Sequence, residues 1–282
     1  MILVTGASGN AGGAVVRALV EAGEPVRALV RDRSSASVPD GADLAVGDLN
    51  RPDTIEPHLD GVTGAFLLSG YEGLSETLAA MRRVGVERVV LLSSSAAPGG
   101  DLDNAVARYH ILSERAVRES GLAWTFLQPN SFMTNALRWL PQLHAGDVVR
   151  LPFADVPIAV IDPADLGAVA ARGLVTDELA GRSLRLSGPE ALYPADQVRI
   201  LGSALGRGLR FEAQSNEEAR AEMSAAMPAA YVDAFFSFFV DGTVDETTVQ
   251  PTVRDVLGRE PGSFERWAAA NVALFTAPAP RR

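Results

Sequence analysis

The chain has 282 residues, of which 47% are hydrophobic and 21% are charged, so it is long enough and apolar enough to bury a large core. It has no cysteine and three scattered histidines, which excludes disulfides, thiolate chemistry and the ligand spacing of a zinc site. Its formal net charge of −10 argues against nucleic acid as a direct partner, because the chain repels a phosphate backbone.

The first two predicted elements enclose a glycine-rich turn. Ile2–Val4 predicts a strand, and small or apolar residues recurring every three or four positions from Asn10 predict a helix that ends before Gly23. In the intervening Gly-x-x-Gly-x-x-Gly segment, the first glycine permits a tight turn, the second lets the backbone approach a pyrophosphate, and the third lets the helix pack close to the strand. The helix N-terminus adds free N–H groups and a partial positive charge. We predict a dinucleotide site formed by Gly6, Ser8, Gly9, Asn10, Ala11 and Gly12, in preference to an ordinary turn.

Two arginines follow the second predicted strand, Val26–Val30. This strand ends about twenty residues past the turn, where the adenosine ribose of a dinucleotide is normally bound. An acidic side chain there hydrogen-bonds the ribose hydroxyls of NAD, whereas a guanidinium binds the 2′-phosphate of NADP. Arg31 and Arg33 therefore favour NADP. Asp32 between them leaves NAD possible. The alternative interpretation of these three residues is a solvated charged loop without a ligand.

Small polar residues follow three later predicted strands. A short third strand ends near Val46, which places Asp48 and Leu49 beside the adenine, although Asp48 is also a common turn residue. Further strands are predicted at 64–68, 88–92 and 124–127, with helices at 75–84 and 104–120. Open α/β sheets bind ligands at the carboxyl ends of their strands, so Ser69, Gly70 and Ser93 are pocket candidates.

Prolines interrupt the pattern after residue 129. A helix is predicted to start at Asp162-Pro163, followed by a strand at 183–186, a helix at 193–205, a strand at 209–212 and a mostly helical tail from 215. The expected fold is α/β, a Rossmann-like doubly wound parallel sheet with a smaller C-terminal substrate-facing region. We expect an NADP-binding domain at 1–150, and at 151–282 a mixed α/β region that completes the sheet and forms the substrate pocket.

Several segments besides the glycine turn carry a family resemblance: Val30-Arg31, Gly47–Leu49, Val90–Ser94, Leu127–Phe132, Ser187–Leu192 and Phe264–Trp267. Together they resemble the NmrA-like atypical short-chain dehydrogenase/reductases, a group of quinone and triphenylmethane reductases and NADP-sensing regulators, over nearly the whole chain. The resemblance implies that Asn10 and Ala11 contact the pyrophosphate and Arg31 the 2′-phosphate. It also implies that Ser69 and Gly70 contact the cofactor ribose, and that Pro129, Asn130 and Ser131 lie on the nicotinamide side.

The chain departs from ordinary short-chain dehydrogenases at the proton donor. Those enzymes use Tyr-x-x-x-Lys, in which the lysine lowers the pKa of the tyrosine, but this chain contains no lysine. Instead His110 precedes Glu114 by one helical turn, which looks like the replacement seen in NmrA-like reductases. The candidate catalytic residues are His110, Tyr109 and Ser93, with His110 donating a proton or orienting the substrate. A surface His–Glu pair without a catalytic role is an equally supported interpretation.

These observations favour an NADPH-dependent reductase of a small aromatic, quinone-like or conjugated carbonyl compound. Such an acceptor needs no protein acid when its reduced form takes a proton from water. Tyr71, Phe132, Trp139 and the run Phe235–Phe239 are candidates to line an apolar pocket, with plain core packing as the alternative. The alternative functions are a non-catalytic NADP-sensing regulator and a redox-neutral isomerase or cyclase.

The remaining expectations concern location and partners. The amino-terminal residues lack a signal-peptide pattern, and no stretch approaches the about 18–20 apolar residues that span a bilayer. We therefore expect a cytoplasmic protein with a small-molecule substrate and no membrane, nucleic-acid or metal partner. A homodimer is left open.

Overall fold

A computed structural model describes residues 1–34 and 37–276. Its strands are β1 Ile2–Val4, β2 Val26–Val30, β3 Asp43–Val46, β4 Gly64–Leu68, β5 Arg88–Leu92, β6 Ala123–Pro129, β7 Val148–Leu151, β8 Arg182–Leu186 and β9 Arg210–Ala213. Its helices are α1 Asn10–Glu21, α2 Leu74–Arg83, α3 Ala105–Glu119, α4 Leu140–Ala145, α5 Pro163–Val175, α6 Pro194–Leu205, α7 Asn216–Ala226, α8 Ala229–Phe239, α9 Thr252–Leu257, α10 Phe264–Ala270 and α11 Val272–Thr276. These bounds lie within one to three residues of most of the predicted elements.

Seven strands form one parallel sheet in the order β3-β2-β1-β4-β5-β6-β8. The strand order reverses between β1 and β4, the position at which doubly wound sheets bind nucleotides. The first residues of β1, β2 and β4 are in register, with Ile2 opposite both Val26 and Gly64. Because all seven strands are parallel, their carboxyl ends share one edge. The Rossmann-like fold class predicted from the sequence is confirmed.

Helices cover both faces of this sheet because successive strand side chains point to opposite sides. Along β5, Val89 and Leu91 belong to the core that includes Met81 of α2, whereas Val90 faces Gly173 of α5. The helix pairs α1/α5 and α2/α3 are each in contact. Glycine permits the first contact, since a Cβ on Gly167 of α5 would lie 2.6 Å from the carbonyl group of Ala14 in α1.

The chain forms two compact units, and it passes between them several times. The first unit contains 1–129, 163–186 and 251–259, and the second contains 130–162, 187–250 and, of the described residues, 260–276. These boundaries differ from the predicted division at residue 150, because α5 and β8 pack with the amino-terminal strands and helices. In the part of the chain that the structure describes, no helix is both long and apolar enough to cross a bilayer.

The second unit has its own small sheet and core. Strands β7 and β9 pair in parallel, with Val148 opposite Arg210. The predicted strand at 209–212 is therefore present but does not extend the main sheet. The core of the second unit is formed by residues that include Trp139, Val149, Leu201, Phe264 and Trp267. The predicted helical tail is confirmed in α7 to α11.

Candidate functional site

The glycine turn after β1 has the backbone contacts that its three glycines were predicted to allow. Gly6 has a φ of +61°, in the region that favours glycine, and a Cβ there would lie 2.6 Å from Leu68. A Cβ on Gly12 would lie 2.2 Å from the carbonyl oxygen of Gly6. Helix α1 therefore begins in direct backbone contact with the turn, which requires glycine at both positions.

The N-terminus of α1 is open to an anionic ligand. Its N-cap is Gly9, which has no side chain to bond the first N–H groups, and Ser8, Gly9 and Asn10 are all exposed. The first N–H groups of a helix lack intrahelical acceptors, and the helix dipole favours negative charge at this end. Ala11 and Gly12, in the first turn of α1, are buried. The six predicted turn residues thus form one cradle at this helix end, which has no side-chain cap and suits an anionic group.

The three charged residues after β2 have different roles in the structure. The carboxylate of Asp32 accepts hydrogen bonds from the backbone N–H and hydroxyl of Ser34 at 2.9 and 2.8 Å. The guanidinium of Arg33 donates to the carbonyl oxygen of Leu44 at 3.0 Å. Arg31 is exposed and makes no hydrogen bond or ion pair to the described residues. Of the three, Arg31 has the side chain most accessible to a 2′-phosphate.

The residues after β3 form a turn. The backbone N–H of Asp48 donates to Thr54 Oγ1 at 2.9 Å, and its carboxylate accepts from the N–H of Asn50 at 3.0 Å. Leu49 is buried in the core that α2 covers. These contacts match the interpretation of Asp48 as a turn residue. Asp48 is also half-buried at the carboxyl edge, and its contact with a nucleotide is a proposal.

The residues after β4 connect that strand to β5 and α3. Ser69 Oγ donates to the carbonyl oxygen of Leu92 at 2.7 Å, and the N–H of Gly70 donates to Ser113 Oγ at 3.0 Å. Gly70 has a φ of +89°, and a Cβ there would lie 3.0 Å from the ring of Tyr109. The predicted residues Ser69, Gly70 and Tyr109 therefore lie together at the carboxyl edge.

A buried polar cluster joins β5, β6 and α3. Glu114 Oε1 accepts hydrogen bonds from Ser93 Oγ at 2.6 Å and from Gln128 Nε2 at 2.8 Å. Arg118 donates to the second carboxylate oxygen at 3.1 Å. A carboxylate only accepts hydrogen bonds, so the hydroxyl hydrogen of Ser93 points at Glu114 and is not available to a substrate carbonyl.

His110 does not form the helical pair with Glu114 that its spacing suggested. Its ring packs against Tyr109 with centroids 4.2 Å apart, and its buried Nδ1 has no hydrogen-bond partner among the described residues. Removal from water lowers the pKa of His110 from 6.5 to about 4. The imidazole is therefore neutral at neutral pH, which suits a role in orienting a ligand better than a role as a charged proton donor.

The residues after β6 belong to a hydrogen-bonded cluster in the second unit. Pro129 ends β6, and both hydrogens of Asn130 Nδ2 are directed at carbonyl oxygens, those of Glu246 at 2.9 Å and Ala159 at 3.3 Å. The Oδ1 of Asn130 is buried and has no hydrogen-bond partner among the residues that the structure describes. Because carbonyls only accept, this amide orientation is fixed, and Oδ1 remains an acceptor for a donor group of a ligand or a water.

Glu246 is a residue of this cluster that the sequence did not indicate. Its carboxylate accepts from the backbone N–H of Ser131 at 3.2 Å and from Ser131 Oγ at 2.7 Å. Its own carbonyl oxygen also accepts from the N–H of Ala159 at 2.8 Å. The separation of 115 residues between Glu246 and Ser131 leaves no local pattern by which to find the pair.

Comparison with known proteins identifies related nucleotide-dependent enzymes. A family model described as NAD(P)H-binding matches residues 6–150. The chain is 38% identical over 224 residues to (4-alkanoyl-5-oxo-2,5-dihydrofuran-3-yl)methyl phosphate reductase of Streptomyces griseus, covering 78% of this chain and 79% of that protein. It is 32% identical over 228 residues to an NAD(P)H azoreductase of Xenophilus azovorans, with 78% and 79% covered.

Solved structures share the fold at lower sequence identity. An NADPH-dependent quinone oxidoreductase of Escherichia coli is similar with a TM-score of 0.77 and 21% identity, covering 96% of this chain and 99% of that one. Triphenylmethane reductase of Citrobacter sp., solved with NADP(H), has a TM-score of 0.77 and 19% identity, covering 96% of this chain and all of its own.

The buried cluster predicts a large stability difference between two glutamates of α3. Glu114→Ala leaves Ser93 Oγ and Gln128 Nε2 buried without their acceptor, which is expected to lower the free energy of unfolding by about 1–3 kcal/mol. Glu119→Ala, at an exposed position of the same helix, is expected to change it by less than about 0.5 kcal/mol. Urea unfolding of the two variants measures the difference, and equal stabilities would contradict the assigned network.

The lowered pKa of His110 predicts an acid-dependent loss of stability. Between its ordinary pKa of 6.5 and its folded-state pKa of about 4, the unfolded chain binds a proton that the folded chain does not. Stability therefore falls as the pH drops through this window, by up to about 3 kcal/mol from this residue. Urea unfolding at several pH values should show a shallower slope in His110→Gln than in the wild type; parallel slopes would mean that His110 titrates normally.

Proposed function

The chain belongs to the NAD(P)H-binding family, in its NmrA-like atypical short-chain dehydrogenase/reductase group, and is an NAD(P)H-dependent oxidoreductase; we propose that it uses NADPH to reduce small conjugated carbonyl or quinone-like compounds. The observation that carries the proposal is the open cradle at the N-terminus of α1, with the exposed Arg31 at the end of the neighbouring strand β2. The cradle fits a pyrophosphate, and Arg31 adds a cation suited to a 2′-phosphate.

The relatives support a conjugated acceptor. The Streptomyces griseus relative is named as the reductase of an oxo-dihydrofuran that carries an alkanoyl group, and the Xenophilus azovorans relative as an azoreductase. In the oxo-dihydrofuran a carbonyl group stabilises the negative charge that hydride addition creates, and in an azo group a nitrogen of the N=N bond carries it. We extend this substrate type to the present chain.

The side chains of the site fit a reaction without a charged proton donor. Bound NADPH supplies the hydride. The hydroxyl of Ser93 is directed at Glu114, and His110 is neutral, so neither provides the acid that reduction of a simple ketone requires. Hydride addition to a simple ketone gives a strongly basic, localised alkoxide, whereas a quinone or conjugated carbonyl delocalises the negative charge as a phenolate or enolate, which water can protonate. The protein then contributes by holding the nucleotide and excluding other orientations of the acceptor.

The proposed function is tested by measuring NADPH oxidation with matched acceptors. Menadione and cyclohexenone are expected to support NADPH consumption, while cyclohexanone, which differs from cyclohexenone only by its saturated ring, should not. Product formation without net NADPH consumption would favour the isomerase or cyclase alternative. Tight NADPH binding with no consumption across the conjugated acceptors would contradict the reductase proposal and favour the regulatory one.

The nucleotide preference is tested at the two arginines after β2. Arg31→Ala is expected to weaken NADPH binding by about tenfold to a hundredfold, because it removes charge-assisted hydrogen bonds to the 2′-phosphate. NADH binding should change by less than about threefold, since that phosphate is absent. Arg33→Ala is the matched control, because the Arg33 guanidinium already bonds the carbonyl oxygen of Leu44. Calorimetric titration measures both nucleotides, and equal losses for NADPH and NADH would show that Arg31 does not bind the 2′-phosphate.

A further inference from the structure

Arg17 is an exposed arginine in the second turn of α1. Its side chain makes no hydrogen bond or ion pair to any residue of the described ranges 1–34 and 37–276. Glu21 lies one helical turn further along, but a cation that precedes an acid by four residues is the less favourable order for a helical ion pair. The guanidinium of Arg17 is therefore available to an anionic ligand.

Contacts along one face of α1 show which part of the first unit lies beside Arg17. Gly13, Arg17 and Val20 occupy positions i, i+4 and i+7 of the helix, so they share this face. Val20 packs against Gly41, since a Cβ on Gly41 would lie 2.9 Å from Val20 Cγ1. Gly41 is near the end of the connection from β2 to β3. The face of α1 that carries Arg17 is therefore turned towards this connection, which begins at Arg31.

The Arg17 side chain extends towards the glycine turn. Helical side chains incline towards the N-terminus of their helix, and Arg17 Nη1 lies 3.8 Å from the position that a Cβ on Gly13 would take. The same Cβ position is 3.3 Å from the carbonyl oxygen of Ala7. The N–H of Ala7 donates to the carbonyl oxygen of Leu29 at 3.4 Å, two residues before Arg31. The guanidinium of Arg17 thus lies on the side of the turn that borders the end of β2.

A 2′-phosphate has more charge and more acceptor atoms than one arginine can satisfy. At neutral pH a phosphate monoester carries a charge of about −1.5 to −2 and three strong acceptor oxygens. One guanidinium brings a single positive charge and bonds two of these oxygens. The net charge of −10 on the chain adds repulsion. Arg33 is bonded to the carbonyl oxygen of Leu44, so a second cation beside Arg31 has to come from another element.

From these contacts we infer that Arg17 is a second residue that binds the 2′-phosphate of NADP, from the face of α1, while Arg31 binds it from the end of β2. The inference rests on the proposed NADPH-dependent function and adds a specificity-determining residue to its nucleotide site. Arg17 lies outside both the glycine motif and the end of β2, so sequence spacing did not indicate it. Both arginines belong to the first unit.

The inference is tested by calorimetric titration of Arg17→Ala. NADPH binding is expected to weaken by about fivefold to tenfold, because a charge-assisted contact at an exposed site is lost. NADH binding should change by less than about twofold. The fragment 2′,5′-ADP should lose the same factor as NADPH, whereas 5′-AMP should not, since only the former has the 2′-phosphate. Arg115→Ala removes the same charge from an exposed position of α3 and is the control, which should bind all four nucleotides as the wild type does.

Further variants separate phosphate binding from effects on the helix. Arg17→Lys keeps the positive charge and should lose less than about threefold in NADPH affinity, whereas Arg17→Gln, an uncharged residue that also favours helix, should show the full loss. With both Arg17→Ala and Arg31→Ala in one chain, the NADPH and NADH affinities should agree within about threefold. A strong NADPH preference in that double variant would overturn the inference, because another group would then bind the 2′-phosphate.

These titrations need no acceptor, so their outcome is independent of turnover. If the wild type binds NADPH but reduces no acceptor, and Arg17→Ala selectively weakens NADPH binding, the reductase proposal fails and the role of Arg17 stands. Wild-type NADPH affinity in Arg17→Ala, or equal losses for NADPH and NADH, would show that Arg17 does not bind the 2′-phosphate, whatever the activity. A wild type that binds NADPH and NADH equally would contradict the proposed roles of both Arg17 and Arg31.

Discussion

The structure depends on one backbone contact, the approach of Gly12 to the carbonyl group of Gly6. A single methyl group at residue 12 would overlap that carbonyl, so α1 can begin directly after β1 only with glycine at this position. The same absence of side chains leaves the N-terminus of α1 without a side-chain cap at the point where the strand order reverses. A helix end of this kind favours negative charge, and the proposed nucleotide site depends on that preference.

At the carboxyl edge, some polar side chains are hydrogen-bonded within the protein and support the site, whereas others are accessible to a ligand. Ser69, Ser93 and Asp48 bond to neighbouring strands, helices and turns, and they fix the edge. Arg31, by contrast, is exposed and makes no hydrogen bond or ion pair to the described residues. The proposed reduction of conjugated acceptors fits this division, because the hydroxyl of Ser93 is directed at Glu114.

The sequence predicted the parts of the molecule that local pattern controls. Strands, the glycine turn and the helix caps depend on neighbouring residues, so β1, β2, β4 and β5 were predicted with their observed bounds. Pairings between distant residues were not predictable in this way. Glu114 was expected to pair with His110 by helical spacing, but Ser93, which follows β5, and Gln128 of β6 bond to its carboxylate instead. The pairing of Glu246 with Ser131 likewise depends on a contact that no local spacing encodes.

The return of α5 and β8 to the first unit has a consequence for how the chain is made. Strand β6 has an unpaired edge, and α1 lacks its partner helix, until residues 163–186 have left the ribosome. Exposed strand edges and apolar helix faces are sites of association with other chains. The nascent chain therefore exposes a strand edge and an apolar helix face while the intervening residues 130–162 and the segment 163–186 are synthesised.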